Sequence, residues 1–162
     1  GTFNLFVGAN ASGKSNFFDV LRFLQGVGSG FRVDEILNGK PRGSSSERWE
    51  GIRGGGKELL FKPRHYQTEL NDNSTVQINT KLSFEKHCYK YYFSFYAKQL
   101  KIKEESFHFD KHCIYKSKNI NNVSSPTHYV SYSNRKKGRN PDIGVSSEKP
   151  ALTQFKDRKS VV

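Results

Sequence analysis

The chain has 162 residues, a formal charge of +12 and a pI of about 9.7. That length suits one modest domain, and that charge raises the local concentration of anions such as nucleic acid, ATP or membrane head groups. Two cysteines without a signal peptide argue for a reducing, intracellular setting with the cytoplasm as default, and no apolar run approaches the length of a helical membrane span.

No methionine occurs, at position 1 or elsewhere, so translation is not expected to have begun at Gly1, and a sheet neighbour is expected to precede residue 2. Thr2-Phe3-Asn4-Leu5-Phe6-Val7 has the pattern of a buried strand. It leads into Gly8-Ala9-Asn10-Ala11-Ser12-Gly13-Lys14-Ser15, the spacing GxxxxGK[ST] of a phosphate-binding loop. Phe17, Val20, Leu21 and Leu24 then recur at i, i+3, i+4 and i+7 and predict a helix with that face apolar, ending near Gln25. Strand, glycine loop and helix form the context in which the motif binds nucleotide.

Each residue type in the loop has a physical role. Glycines at 8 and 13 permit positive φ and close approach, so successive N–H groups can point into one concavity and hold phosphate oxygens. The helix start adds its positive dipole end. Lys14 is spaced to reach the β- and γ-phosphates, and the Ser15 hydroxyl to complete the shell of a magnesium ion bridging them. A glycine turn that merely joins a strand to a helix is the alternative.

Gly26, Gly28 and Gly30 supply a stop after the helix, and Phe31 to Leu37 predict one short helical turn. From Asn38 to Lys57 the composition turns to Gly, Ser, Arg and Pro, which predicts a long loop anchored by the lone Trp49. Beyond Leu70 the pattern becomes antiparallel β. Val76, Ile78, Thr80, Leu82 and Phe84 alternate with polar residues, as do Tyr91, Phe93 and Phe95. Leu100 and Ile102 change phase to Phe107 and Phe109, which predicts a bulge around Glu104 to Ser106. Cys113 to Lys116 and His128 to Ser133 are weaker strand candidates, and Asn134 to Arg139 forms a basic loop or hairpin.

The last six residues, Asp157 to Val162, are those encoded by GAT CGG AAG AGC GTC GTG, a common short-read sequencing adapter whose next codon, TAG, is a stop. The natural sequence is therefore expected to end by Lys156, with an ordinary basic tail as the alternative.

Residues Gly8 to Asn16, with Asn10 inside the loop and Asn16 after Ser15, followed by Asp19-Val20-Leu21-Arg22-Phe23-Leu24, resemble the head domains of the RecF, SMC and ABC-type ATPases. In particular they resemble a bacterial branch of AAA-family predicted ATPases. Trp49-Glu50-Gly51-Ile52-Arg53-Gly54-Gly55, Lys103-Glu104-Glu105-Ser106 and Ala151-Leu152-Thr153-Gln154-Phe155-Lys156 fit the same branch. The resemblance implies an α/β P-loop NTPase fold, ABC/SMC-head-like, incomplete, with an antiparallel β lobe. Residues 1–156 would form a partial head: strand, loop and helix over 1–37, a loop-rich part over 38–70, the β lobe over 71–133, and a basic loop and lobe boundary over 134–156.

The resemblance further implies ATP and magnesium as cofactors and a nucleotide-dependent homodimer, with Gln154 in the place of a glutamine that senses metal and nucleotide. No run of four apolar residues ending in Asp-Glu occurs, so the second magnesium carboxylate and the water-orienting glutamate are missing, as are a signature segment and a switch histidine. Loop amides, Lys14 and Ser15 are only the ground-state half of phosphoryl transfer. The intact protein is thus expected to be an ATPase and this polypeptide a feeble binder.

Lys98 to Lys103 and Arg135 to Arg139, interleaved with Tyr91, Tyr92, Tyr96 and Phe107, are candidates for contact with DNA, or are solvated loops. A non-enzymatic basic β-rich nucleic-acid-binding module is the alternative function, and a small-molecule kinase fits poorly because further βα units do not follow. Lys86-His87-Cys88 and Lys111-His112-Cys113 repeat one triplet and invite a zinc site, but neighbours on a strand face opposite sides. Asp110 between His108 and His112 lacks an activated serine motif for a hydrolytic triad.

Overall fold

A computed structural model describes residues 9, 13–40, 49–58, 72–118, 125–133 and 140–155. The expected first strand at residues 2–7, the basic segment 134–139 and the tail 157–162 lie outside the described residues. Helix α1 (Lys14–Gly28) is followed by α2 (Val33–Asn38). Six strands come next: β1 (Thr75–Phe84), β2 (His87–Tyr96), β3 (Lys101–Phe109), β4 (His112–Ser117), β5 (Thr127–Tyr132) and β6 (Asp142–Ser146), and the short helix α3 (Ala151–Gln154) completes the order. The strands form one antiparallel sheet in sequence order, each hydrogen-bonded to the next. For β1 to β4, local pairing of this kind follows from alternating strands joined by short turns. β6, Asp142-Ile143-Gly144-Val145-Ser146, alternates but has only two apolar residues in five and a central glycine, too short a signal to be recognised from sequence.

Helix α1 extends past the expected end at Gln25 to Gly28. Its buried face also differs from the expected one. Phe17, Val20 and Leu21 are 42%, 41% and 47% exposed and Leu24 alone of the expected four packs, half-buried, against the core, whereas Phe23, Gly26 and Val27 are buried. Two apolar stripes compete on this helix, and close packing selects the second. The Phe23 ring stacks on Phe95 with centroids 5.6 Å apart and meets Phe93 at the same distance. Gly26 lets α2 approach so closely that a methyl group there would lie 2.7 Å from Ile36 Cγ1. Burying a ring as completely as Phe23 stabilises the fold by about 2–3 kcal/mol.

Trp49 is the expected anchor of the loop: its Nε1–H donates to the Ile36 carbonyl at 3.1 Å, its ring packs on Phe31, and Arg22 lies 5.2 Å from its centroid. The short helix expected within Phe31 to Leu37 is α2, which Glu35 caps by accepting the Arg32 N–H at 2.9 Å.

The phase change in β3 is the expected bulge, and it falls at the edge of the region around Glu104 to Ser106. Ser94 pairs with Glu104 and Phe95 with Ile102, so Lys103 is the extra residue. That extra residue puts Ile102 and Glu105 on the core face together with Phe107. A second irregularity leaves Ile114 unpaired between Tyr115 and Cys113. The core face is continuous across the sheet: Ile78, Tyr91, Phe93, Phe95 and Ile102 pack under α1 and α2, and Tyr115, Val130 and Val145 pack with Ala151 of α3.

Candidate functional site

The start of α1 is built against ordinary helix rules. Gly13, its N-cap, has φ 85°, a left-handed conformation that favours glycine. No side chain caps the helix, and its first turn contains no acidic residue. Lys14 instead places a cation at the positive end of the helix dipole, which local electrostatics disfavours. The Lys14 ammonium donates to the Ala9 carbonyl at 2.6 Å, so Ala9 lies beside the helix start. Ser15 and Asn16 occupy the exposed first turn. Of the remaining loop positions, Gly8, Asn10, Ala11 and Ser12 lie outside the described residues.

Beside this first turn a cleft of about 360 Å³ opens between α1, the turn at residues 52–55 and the paired strands β1 and β2. Asn16 and Asp19 line its helical wall, Ile52 and Arg53 its rim, and Val76 and Phe95 its floor. Arg53 spans the rim through an ion pair with Asp19 at 2.7 Å.

Gln154, far along the chain, ends α3. Its Oε1 accepts the Ser146 N–H at 2.9 Å, and its Nε2 donates to the carbonyls of Ser146 at 3.3 Å and Lys149 at 2.6 Å. The carboxamide thereby continues the hydrogen-bonding pattern at the end of β6. The described contacts do not join Gln154 to the start of α1.

The residue that holds α3 in place is Glu105, a side chain whose role the sequence reading did not find. It is fully buried. Oε1 accepts the Tyr115 hydroxyl at 2.6 Å, the Tyr91 hydroxyl at 3.0 Å and the Leu152 N–H at 3.1 Å, while Oε2 accepts the Ala151 N–H at 2.7 Å. Burial pushes the Glu105 carboxyl above its ordinary range against the downward pull of these bonds. The same burial, with the neighbouring carboxylate, raises both phenols, so Tyr91 and Tyr115 stay protonated donors. The signal was in the phase of the strand: Glu105 alternates in step with Phe107 and Phe109, hence inward.

The two His-Cys triplets open β2 and β4. His87 Nδ1 lies 3.0 Å from the Asp110 carboxylate, which also accepts the Cys88 N–H at 2.8 Å; both bonds hold Asp110 below the usual carboxylate range. Cys88 and Cys113 are free thiols. Among the described residues no group of three or more His, Cys, Asp and Glu side chains is arranged to hold a metal ion. Of the lysines proposed for DNA contact, Lys98 pairs with Asp72 at 2.8 Å and Lys103 lies 5.7 Å from the Tyr96 ring centroid. Arg135 and Arg139 lie outside the described residues. No helix among the described residues is long and apolar enough to cross a membrane.

Comparison with known families matches residues 3–150 to the one described as "AAA domain, putative AbiEii toxin, Type IV TA system". No curated protein and no solved structure gives a significant match.

Proposed function

The chain belongs to this AAA-domain family, and on that premise we propose that it binds ATP with magnesium through residues 8–16 and that the intact protein hydrolyses it as a RecF/SMC/ABC-like head. The observation that carries the reading is the conflict at the start of α1. Gly13 takes its left-handed turn freely, but a lysine at the positive dipole end and an absent side-chain cap each cost stability on their own. A polyphosphate resolves both, because its oxygens take the N–H groups, the dipole and the ammonium together.

In this reading the N–H groups of the loop, from Gly8 through Ala9, Asn10, Ala11, Ser12 and Gly13, surround the phosphate oxygens. Lys14 leaves the Ala9 carbonyl for the β- and γ-phosphates, and the Ser15 hydroxyl and the adjoining Asn16 face the metal side. The Ser15 hydroxyl would hold magnesium bound with the nucleotide, which would supply charge neutralisation. Gln154 serves as the metal-sensing glutamine, which requires it to release Ser146 and Lys149. The carboxylates that complete hydrolysis have no counterpart in the sequence, so the 162-residue chain binds nucleotide with slow turnover or none. A nucleotide-bridged homodimer and DNA complete the proposed partners, the latter favoured by the +12 charge.

Titration of a fluorescent ATP analogue tests the proposal. Lys14→Ala is expected to weaken binding by about 10- to 100-fold, the worth of a hydrogen bond to a charged group, and Ser15→Ala to remove the magnesium dependence. Wild-type affinity in Lys14→Ala would overturn the reading. Rapid hydrolysis by this chain, abolished by Lys14→Ala, would overturn the reading that this chain lacks the catalytic carboxylates.

A further inference from the structure

The outer face of the sheet carries a pair of like charges that packing does not explain. In the register Lys81 stands directly opposite Lys90, and Lys90 directly opposite His108. The two lysines repel and weaken the strand pairing. Other exposed lysines are neutralised, Lys98 by Asp72, Lys116 by Glu104 and Lys40 by Glu35. Lys81 and Lys90 are exposed, and neither forms an ion pair or side-chain hydrogen bond with another described residue. Two register positions further on, on the same face, Asn79 stands opposite Tyr92, and Tyr92 opposite Ser106. These six side chains line one open depression of about 310 Å³.

From this arrangement we infer that the depression binds a single-stranded nucleic acid, with phosphates along Lys81, Lys90 and His108 and a base stacked on the half-buried ring of Tyr92. Phosphates remove the repulsion between the lysines, since strands about 4.8 Å apart present their cations side by side to one backbone. Tyr92 supplies the sequence-tolerant stacking surface that single strands use, and Asn79 and Ser106 supply polar edges beside it. An acidic polypeptide would use the cations and leave the ring without a role. The inference rests on the nucleic-acid part of the proposed function, makes no use of the phosphate loop, and moves the contact away from Lys98 to Lys103.

Fluorescence anisotropy of a labelled oligothymidylate with the 162-residue chain, across a salt series, tests it. The double variant Lys81→Gln/Lys90→Gln is expected to bind at least about tenfold more weakly at low salt. Its log affinity against log salt should be shallower by about 1.4, the contribution of two single-strand phosphate contacts. Tyr92→Ala should weaken binding about fivefold or more, and Tyr92→Phe should retain it. Lys14→Ala should bind the oligonucleotide as wild type does.

Lys81→Glu separates a binding role from a structural one. It replaces a repulsive cross-strand pair by an attractive one, so the melting temperature should hold or rise while oligonucleotide affinity falls. Wild-type affinity and salt slope in Lys81→Gln/Lys90→Gln, with loss in Lys98→Gln/Lys103→Gln, would overturn this site and leave DNA as a partner. No binding by the wild-type chain at low salt would overturn both. Tyr92→Ala binding as tightly as wild type, with polyglutamate competing as well as oligonucleotide, would identify a surface for acidic polypeptides and overturn the inference.

Discussion

Replacing Glu105 by glutamine keeps the shape of the side chain and removes its charge where four donors converge. If the new amide nitrogen faces Ala151, it meets an N–H donor across the present 2.7 Å contact. If it faces the tyrosines, their hydroxyls can turn, but the Leu152 N–H, now 3.1 Å from Oε1, faces a donor. Either way one buried amide loses its acceptor, at a cost of about 1–3 kcal/mol. Glu105→Ala strands all four donors and leaves a cavity, which sums to upwards of about 4 kcal/mol. For a chain of this size a mid-range loss of about 2 kcal/mol lowers the melting temperature by roughly 4–8 °C.

The pH dependence supplies the sharper test. Because burial raises the Glu105 pKa in the folded chain, the folded state binds this proton more readily than the unfolded state does. Stability from this group is therefore full below the unfolded value, near ~4.3, and is lost as pH rises through the folded value. Glutamine does not titrate, so the stability gap between wild type and Glu105→Gln should narrow as pH rises through that window. Urea melts of both proteins at several pH values measure the gap. A gap that widens with rising pH, or a Glu105→Ala variant as stable as wild type, would refute the account of the cluster.

His128 is 3% exposed with neither ring nitrogen hydrogen-bonded, and burial lowers its pKa to about 4. The unfolded chain takes up this proton first, so stability falls as pH drops from about 6.5 towards 4, by at most about 3 kcal/mol. His128→Leu should remove that loss, and an unchanged stability profile between those pH values would refute it. Gly26→Ala places a Cβ 2.7 Å from Ile36 Cγ1 and 3.2 Å from Trp49 Cζ2, so overpacking of about 1–3 kcal/mol outweighs the gain in helix propensity. Gly28→Ala, with nothing within 4 Å of the new Cβ, should gain up to about 1 kcal/mol; denaturation midpoints that reverse this order would contradict the packing of α1 on α2.

Periodicity and turn chemistry made much of the fold legible. The alternations around Ile78 and Phe93 became β1 and β2 because neighbouring strands joined by tight turns pair locally, and each needs only its own residues to declare a face. Trp49 was legible as an anchor because a lone large ring in a glycine-rich segment has few other ways to be buried. Of the candidate site, the spacing GxxxxGK[ST] was legible because it lies within eight consecutive residues, and the structure adds the surroundings of Ala9 and of Gly13 to Asn16. Glu105 was passed over because composition treats a glutamate as a surface residue, and its four partners come from β2, β4 and α3.

By itself the sequence determined the strand alternation, the glycine-rich loop before α1 and the net positive charge, properties held in residues close together along the chain. The tertiary structure decided which stripe of α1 is buried, where β3 bulges, what Glu105 holds and that Lys81, Lys90 and His108 stand abreast. Each of these depends on which strand or helix lies alongside, and close packing and cross-strand register settle that only when distant segments meet.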